Sequence, residues 1–403
     1  MLRKLISLTL LLTICGAQLA PAWAAPGPRT ASKPAHAVVR LHAAVATRRR
    51  PLWPGARFTA ADRARAIRRG LSFIYRTARV PANFASYGGD YVWCFYTLSA
   101  AVADPAVRRT ARRMGRERAQ VWRKAHRTLP PEPDAATISE YVYGSDAADS
   151  LGVRDDAMKR VLARVAARFT ARDYLRFDPR VEPPPLDVPD ECDYDGTENA
   201  RGAKFCRVCQ RPLVMKTRYD VWYDALITAY VGDRYGVPLG AHYADVLRWL
   251  PTLRPYPDRA HAHGLEFYDA IYAIAHVVYT LNHYNQAQLA PQLLPAEYEF
   301  LHAHIGDAVA LKEADMLGEM MDSLRAFGVG EDDPALRAAI EFYLARQNPD
   351  GSWGDMNAPD IYDRYHPTWN AVAGLSHYTW RGRRLSHPEL KSQLEQWAKE
   401  NDE

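Results

Sequence analysis

The sequence predicts an all-α protein, and three observations support this fold class. Beyond residue 58, apolar side chains recur at helical spacing in one segment after another. No segment shows the sustained alternation of apolar and polar residues that is typical of β-strands. Capping residues followed by proline mark helix starts at Asp104-Pro105, Asp333-Pro334 and Ser386-His387-Pro388.

Thirteen segments have this helical pattern. They are Ala60–Ala78, Tyr91–Ala103, Pro105–His126, Ala136–Ser150, Arg154–Leu175, Asp220–Val231, Gly240–Leu250, Tyr268–Tyr284, Ala296–His304, Ala308–Phe327, Pro334–Gln347, Pro367–Trp380 and Pro388–Lys399. Apolar segments alternate with more charged ones, which favours an inner and an outer ring of helices. One segment, 177–217, lacks the pattern and is predicted to be a long inserted loop; loops of this length are usually functional or cross-linked.

The stretch from Gln347 to Trp353 reads Q-N-P-D-G-S-W and connects two predicted helices. Its Asn-Pro-Asp-Gly sequence predicts a tight turn in which Gly351 supplies a positive φ. Trp353 is expected to pack between helical hairpins, and Gln347 to bind backbone groups of the loop. The second helix is expected to start around His366-Pro367, because proline suits a first helical turn.

These residues resemble the Q-x-x-D-G-S-W repeat of terpenoid cyclases and of the β subunits of protein prenyltransferases. Tyr365-His366, with Gly374-Leu375 following eight residues after the histidine, is similar to the element that carries the zinc histidine of the prenyltransferases. The resemblance covers about thirty residues and implies an α/α toroid, a barrel of helical hairpins around a central funnel. It also implies a metal-binding role for His366. No predicted helix carries the D-x-C element that completes the prenyltransferase zinc site, and the D-x-D-D acid of class II cyclases is absent.

The N-terminus predicts export. Arg3 and Lys4 precede an apolar run, and Ala22-Trp23-Ala24 fits a signal-peptide cleavage site after Ala24. Residues 25–57 are rich in Pro, Ala and Arg and are expected to form a disordered basic leader, either a solvated linker or a contact with anionic lipid or glycan. Residues 58–403 are expected to form one toroid domain, located in the periplasm or outside the cell.

Composition limits the possible partners. The chain has 52 Lys and Arg against 47 Asp and Glu, a net charge of +5. This balance gives no support for nucleic-acid binding. After the signal segment no apolar run reaches the ~18 residues that a transmembrane helix needs. The expected partner is a small-molecule, lipid-like or glycan ligand; the sequence does not define an oligomeric state.

Three cysteines of the inserted loop, Cys192, Cys206 and Cys209, are expected to act together. Four of the five cysteines remain once the predicted signal peptide, which contains Cys15, is removed. An even number in an exported chain favours disulfides, whereas the C-x-x-C spacing favours a structural metal site. A redox role is the third alternative, although no βαβ pattern surrounds the motif. The fourth cysteine, Cys94, lies in an aromatic helix and could be a buried free thiol.

The predicted helix Tyr268–Tyr284 carries polar residues along one face. Asp269, Tyr272, His276 and His283 are spaced by three, four and seven residues and would therefore lie on the same side of an otherwise apolar helix. If the helix belongs to the inner ring, this face would line the funnel. The alternative is a hydrogen-bonded network in the core.

Two further helices carry carboxylates at helical spacing. Asp315, Glu319 and Asp322 share a face, either of an inner helix or of a solvated outer one. Asp220 is interpreted as a helix cap, whereas Asp224, one turn later among aromatic residues, is a candidate functional residue or a structural one.

Two function classes follow. The first is an enzyme whose funnel contains Asp224, Asp269, His276, Glu319, Asp322 and His366. Asp269, His276 and His366 would bind a divalent metal such as Zn²⁺, with acidic side chains and tyrosines as acid–base partners. The reaction would be of the transferase or cyclase type, or the cleavage of a polysaccharide as in exported toroid lyases and hydrolases. The second class is a non-catalytic protein that binds a hydrophobic or glycan ligand in an aromatic funnel.

Overall fold

The computed structural model describes residues 51–186, 190–192, 197–200, 202–211, 213, 217–262 and 265–400. The predicted signal peptide and the leader up to residue 50 lie outside these residues. The described structure is 62% helix and has almost no strand, which confirms the predicted all-α class. No described helix is long and apolar enough to cross a membrane.

Fourteen α-helices and two short strands follow one another among the described residues. They are α1 (Ala60–Ala78), α2 (Pro81–Ala101), α3 (Pro105–Ala125), α4 (Ala135–Ser150), α5 (Asp156–Ala166), α6 (Ala171–Leu175), β1 (Asp190–Glu191), β2 (Glu198–Asn199), α7 (Arg218–Tyr235), α8 (Tyr243–Leu247), α9 (Glu266–Leu281), α10 (Pro295–Leu311), α11 (Ala314–Ala326), α12 (Pro334–Arg346), α13 (Tyr362–Leu375) and α14 (Lys391–Glu400). Short 3₁₀ turns lie at Leu250–Leu253, Pro291–Leu293 and Pro388–Leu390.

Six helices pack around a common centre. Helix α2 contacts α4, α4 contacts α7, α7 contacts α9, α9 contacts α11, α11 contacts α13, and α13 contacts α2. Helices α4 and α7 bury residues on all sides, as expected for helices surrounded by protein. Helices α1, α3 and α5 instead bury a single stripe and present charged residues to solvent, as outer helices do.

Caps define where several helices begin. Asp104 and Asp333 accept hydrogen bonds from the first free amides of α3 and α12, as the sequence predicts. Helix α7 is different: Thr217 is its cap and accepts from the amide of Asp220, so Asp220 lies inside the first turn and is not the cap. Serine and threonine hydroxyls compete well with carboxylates for this position.

The turn after α12 has the structural role predicted for it. The Gln347 side-chain amide donates to the carbonyl oxygens of Ala66 on α1 (2.9 Å) and Gly351 (3.0 Å). Gly351 has a φ of 95°. Trp353 is fully buried and donates its indole N–H to the Tyr343 carbonyl oxygen (2.9 Å). The turn therefore joins α12 to α1, a helix nearly 300 residues earlier in the chain.

Several predicted helix boundaries differ from the structure. Helix α2 begins at Pro81, ten residues before the predicted Tyr91, and the segment predicted as one helix over Arg154–Leu175 divides into α5 and α6. Helix α13 begins at Tyr362, so Pro367 lies inside the helix and not at its start. Helix α9 ends at Leu281, and His283 follows with a φ of 57°, so His283 does not share the face of Asp269 and His276. The segment predicted as one helix over Ala308–Phe327 divides at Lys312, whose φ of 62° ends α10. A residue with left-handed backbone angles ends a helix even where the helical spacing of apolar residues continues on both sides of it.

The inserted segment lies between α6 and α7. Its strands β1 and β2 form an antiparallel pair, and the remaining described residues are turns and loops. At the other end, residues 51–57 of the predicted leader are ordered against the helices. Pro51 pairs with Thr59, and the Arg337 guanidinium of α12 lies 5.5 Å from the Trp53 ring.

Candidate active site

A cavity lies where the six central helices meet. Its outer part is an open cleft of about 680 Å³ at the N-terminal ends of α7, α9, α11 and α13. A chamber of about 60 Å³ continues from it toward the middle of the helices, and Asp90 of α2 and Tyr143 of α4 line this inner part. Three side chains, His276, Glu319 and His366, line both parts. They therefore lie at the junction between cleft and chamber.

His366 is paired with a carboxylate of the neighbouring helix. Its Nδ1 lies 2.7 Å from Asp315 Oδ1, and Asn370 Nδ2 donates to the same oxygen over 2.9 Å. Tyr272 donates its hydroxyl to the other oxygen of Asp315 (3.2 Å). Burial alone would lower the pKa of His366, but the charge and hydrogen bond of Asp315 raise it above its usual value. Burial likewise opposes ionisation of Asp315, yet His366 and Asn370 hold the pKa of Asp315 below its usual value.

The surroundings of His276 shift its pKa in the opposite direction. Its Nδ1 lies 2.6 Å from the carbonyl oxygen of Tyr272, and a carbonyl only accepts, so Nδ1 carries the proton. The ring stacks on Tyr223 with centroids 5.0 Å apart. Burial lowers the pKa of His276 to about 4. At neutral pH the imidazole is therefore uncharged, and Nε2 is its basic nitrogen.

Glu319 lies between the two histidines. Its Oε1 accepts from Asn370 Nδ2 (3.4 Å), and its Oε2 lies 3.9 Å from His276 Nδ1. Oε2 is buried without a hydrogen-bond partner. Burial, reinforced by the charge of Asp315, raises the pKa of Glu319 to about 8. The carboxyl group is thus protonated at neutral pH and can donate a proton.

Two more acids line the inner chamber. Asp322 accepts from the Tyr378 hydroxyl (2.8 Å), and burial raises its pKa to about 7. Asp90 accepts from the hydroxyls of Tyr365 (2.7 Å) and Tyr143 (3.1 Å), and burial raises its pKa above the usual value. Of the two alternatives for this helix face, the solvated one does not describe Glu319 and Asp322, since both are at most 3% exposed.

Asp269 and Asp224 occupy different surroundings. Asp269 lines the cleft and accepts from the Thr217 hydroxyl (2.9 Å); burial, with the nearby Asp220, raises its pKa to about 8. Asp224 is half-buried on α7 and lines neither the cleft nor the inner chamber. Of the candidates on these two helices, the structure brings His276 and Asp269 to the cavity and leaves Asp224 outside it.

Metal-binding geometry is found elsewhere. Within the described parts of the chain, only Cys192, Cys206 and Cys209 form a group of three His, Cys, Asp or Glu residues whose ligand atoms all lie within 4.8 Å of one another. This group could hold a metal ion. Asp269, His276 and His366, the metal ligands predicted in the funnel, are not brought together in this way. Cys94 is a buried free thiol, and burial raises its pKa well above the usual value.

Sequence reasoning missed Asn370, which connects Asp315 to Glu319. Its signal was present: Asn370 follows His366 by four residues on the same helix, so the two side chains share a face. Asp90 also had a signal in the sequence. Its carboxylate directly precedes the aromatic segment Tyr91–Tyr96 of α2 and therefore required buried partners, which are tyrosines from α4 and α13.

Comparisons of the chain with protein-family models, curated proteins and solved structures give no match. The function of the cavity is therefore inferred from its own geometry and chemistry.

Proposed function

We propose that the protein is an exported α/α-toroid enzyme that cleaves a glycan by general acid–base catalysis in its central cavity. The toroid rests on the order of helix contacts, which runs through α2, α4, α7, α9, α11 and α13 and returns to α2. The turn at Gln347–Trp353 adds support, because it joins the hairpin of α12 and α13 to α1. An experimental structure in which α13 does not lie beside α2 would contradict the toroid.

The observation that carries the catalytic proposal is that two histidines of one cleft have contacts that shift their pKa values in opposite directions. His276 is neutral and has a basic Nε2, while the carboxylate of Asp315 raises the pKa of His366 and so favours its charged form. Pairs of titratable groups whose surroundings drive their pKa values apart are typical of acid–base catalysis. In the proposed reaction His276 accepts a proton from the substrate or from water. His366 or the protonated Glu319 donates a proton to the leaving oxygen.

A glycan fits the lining of the cleft better than a lipid does. Tyrosines and a tryptophan alternate there with acids, histidines and an asparagine, and the basic side chains of Lys312 and Arg346 lie at its edge. Aromatic faces stack on sugar rings, and polar groups bind hydroxyls, whereas a prenyl chain would leave these polar groups without partners. The cleft volume of about 680 Å³ is within the ~300–1,000 Å³ of small-molecule sites.

Export is part of the proposal and rests on residues 1–24. We expect the mature protein to begin at Ala25 and to reach the periplasm or the medium. Amino-terminal sequencing of the protein recovered from these fractions tests this, and a mature chain that begins at Met1 would contradict it.

The catalytic proposal is tested with a panel of neutral and anionic polysaccharides. Reducing ends report any cleavage, and an ultraviolet-absorbing double bond in the product distinguishes elimination from hydrolysis. We expect cleavage of at least one polymer, and its loss in His276→Ala and His366→Ala. His261→Ala is the matched control, because His261 is exposed and does not line the cavity. Tight binding without turnover would instead identify a non-catalytic binding protein.

A further inference from the structure

The described residues of the inserted segment between 190 and 213 form no apolar core of their own. Between residues 190 and 213, the buried apolar side chains that the structure describes are Cys192 and Cys206 alone. The larger apolar residues of the same stretch, Phe205 and Val208, are 57% and 62% exposed. A two-residue strand pair does not order such a segment without additional packing or cross-links. A cross-link through the three clustered cysteines must therefore order the segment in place of an apolar core.

Two separate backbone turns position the sulfur atoms of the three cysteines. In the first, the Cys192 amide donates to the Thr197 carbonyl oxygen (2.9 Å) beside the β1–β2 pair. In the second, the Cys206 amide donates to the Arg211 carbonyl oxygen (2.8 Å), and the Gln210 amide donates to the Cys206 carbonyl oxygen (3.0 Å). Gln210 has a φ of 59°, which closes this second turn. Cys206 and Cys209 thus stand on one tight turn and Cys192 on another.

The sulfur atoms lie in surroundings suited to thiolates. The Val208 amide points at Cys206 Sγ over 3.4 Å. A backbone N–H group that points at a sulfur atom stabilises its thiolate form. Thiolate is the form that binds metal ions. Cys192 Sγ and Cys209 Sγ lie 3.4 Å apart, close to the ~3.8 Å between tetrahedral ligands that are each ~2.3 Å from a zinc ion.

We propose that Cys192, Cys206 and Cys209 bind one Zn²⁺ through three thiolates, and that this ion holds the inserted segment in its fold. A disulfide would use two of the sulfurs and leave the third as a buried thiol beside them. The arrangement instead brings all three within 4.8 Å of one another. Zinc favours tetrahedral thiolate coordination, and in small segments without a core its binding supplies the folding free energy. This site is separate from the catalytic cavity and does not depend on the proposed reaction.

Metal content and thiol chemistry of the purified full chain test the proposal. We expect about one equivalent of zinc per chain in the wild type, and loss of that zinc in Cys206→Ser and Cys209→Ser. Cys94→Ala is the matched control and should retain the metal, because Cys94 lies in α2, outside the cluster. After denaturation with a chelator and without reductant, mass spectrometry should find all three cysteines alkylated. A disulfide between any two of them, or a metal-free protein with the segment ordered, would overturn the proposal.

A second measurement avoids variants that fail to fold. Trypsin should cut the zinc-loaded wild type slowly at Lys204 and Arg207, since the turns hold this backbone. Removal of the metal with a chelator should accelerate these cuts at least tenfold, and added Zn²⁺ should restore protection. The helical far-ultraviolet signal should change little, because the described part of the segment contributes no helix. Equal cutting rates with and without metal would show that zinc does not hold the segment.

Discussion

His366 and Asp315 join α13 to α11 through a contact of 2.7 Å between Nδ1 and Oδ1, inside the cavity. The carboxylate fixes the tautomer of the imidazole, orients its ring and favours its charged form. Asn370 and Tyr272 in turn hold Asp315, so both members of the pair are positioned by neighbouring side chains. The proposed acid is therefore defined by interactions between three helices.

Asp315→Asn should reduce activity by ~10²–10⁴-fold, the usual contribution of a general acid or base. The amide is close to the carboxylate in shape but cannot stabilise the imidazolium, so the pKa of His366 should fall. NMR titration of the His366 ring separates this effect from unfolding. Asp307→Asn is a suitable control, since Asp307 also contacts a histidine, His304, but lies outside the cavity. An unchanged His366 pKa in Asp315→Asn would contradict the prediction.

The same pair makes stability depend on pH. The pKa of His366 is raised, so its contribution is complete below the unfolded value near 6.5 and is lost as pH rises through the folded pKa. The pKa of Asp315 is lowered, so its contribution is present above the unfolded value near 3.9 and is lost as pH falls through the folded pKa. Melting temperatures measured across pH should decrease in both pH ranges for the wild type. Both decreases should be absent in Asp315→Asn.

The pH dependence of kcat/KM should be bell-shaped. His276 acts as a base only when neutral, so activity should rise as pH increases through about 4. The acid must be protonated, so activity should fall at the pH where the acid loses its proton. For His366 this lies above the ordinary histidine pKa, and for Glu319 it lies at about 8. Initial rates at low substrate concentration measure this profile. If Glu319 is the proton donor, Glu319→Gln should abolish turnover. If His366 is the proton donor, Glu319→Gln should remain active and keep the decrease in activity at alkaline pH.

Glu319→Gln should also stabilise the fold in a pH-dependent way. The folded pKa of about 8 lies above the unfolded one, so the unfolded state releases the proton first. The wild type therefore loses stability as pH rises from the unfolded value near 4.3 toward 8. Glutamine has no proton to lose, so the melting temperature of the variant should exceed that of the wild type at pH 7 but not at pH 4. A difference that is independent of pH would contradict the buried, protonated state of Glu319.

Gly351→Ala should destabilise the protein by more than Gly152→Ala does. Both glycines have a positive φ, 95° and 83°, so alanine strains the backbone at either position by ~1 kcal/mol or more. A Cβ at Gly351 would also lie 2.7 Å from the Arg69 carbonyl oxygen, whereas a Cβ at Gly152 would meet no atom within 4 Å. Denaturant unfolding of the two variants measures the difference, which reports the contact between this turn and α1. Equal losses of stability would contradict that contact.

The presence of most helices could be predicted from the sequence because their patterns are local. The boundaries of α1 and the proline starts of α3 and α12 follow from capping residues and apolar spacing that are visible along the chain. The end of α9 before His283 was not predictable in this way. It depends on a left-handed backbone whose residues, His283 and Tyr284, give no glycine signal.

The site was predictable only in part, for a similar reason. His276, Glu319 and Asp322 stood out as polar residues on apolar helices, where burial requires partners. The partners themselves, such as Asn370 for Glu319 and Tyr143 for Asp90, come from other helices, and the sequence does not show which helices meet. The opposite pKa shifts of His276 and His366 depend on those partners and could not be predicted from either residue alone.

The raised pKa values of the cavity acids make the electrostatic potential inside the cavity less negative at neutral pH. Asp269, Glu319 and Asp322 have pKa values of about 8, 8 and 7 and are wholly or partly neutral at physiological pH. The N-terminal ends of four helices, which carry partial positive charge, open onto the same cleft, as does the C-terminal end of α12, which carries partial negative charge. A polysaccharide rich in carboxylates or sulfates would therefore meet less repulsion than the composition of the walls suggests, although Asp315 of the same cleft stays ionised. In more alkaline solution these acids ionise, and the same polymer should be expelled.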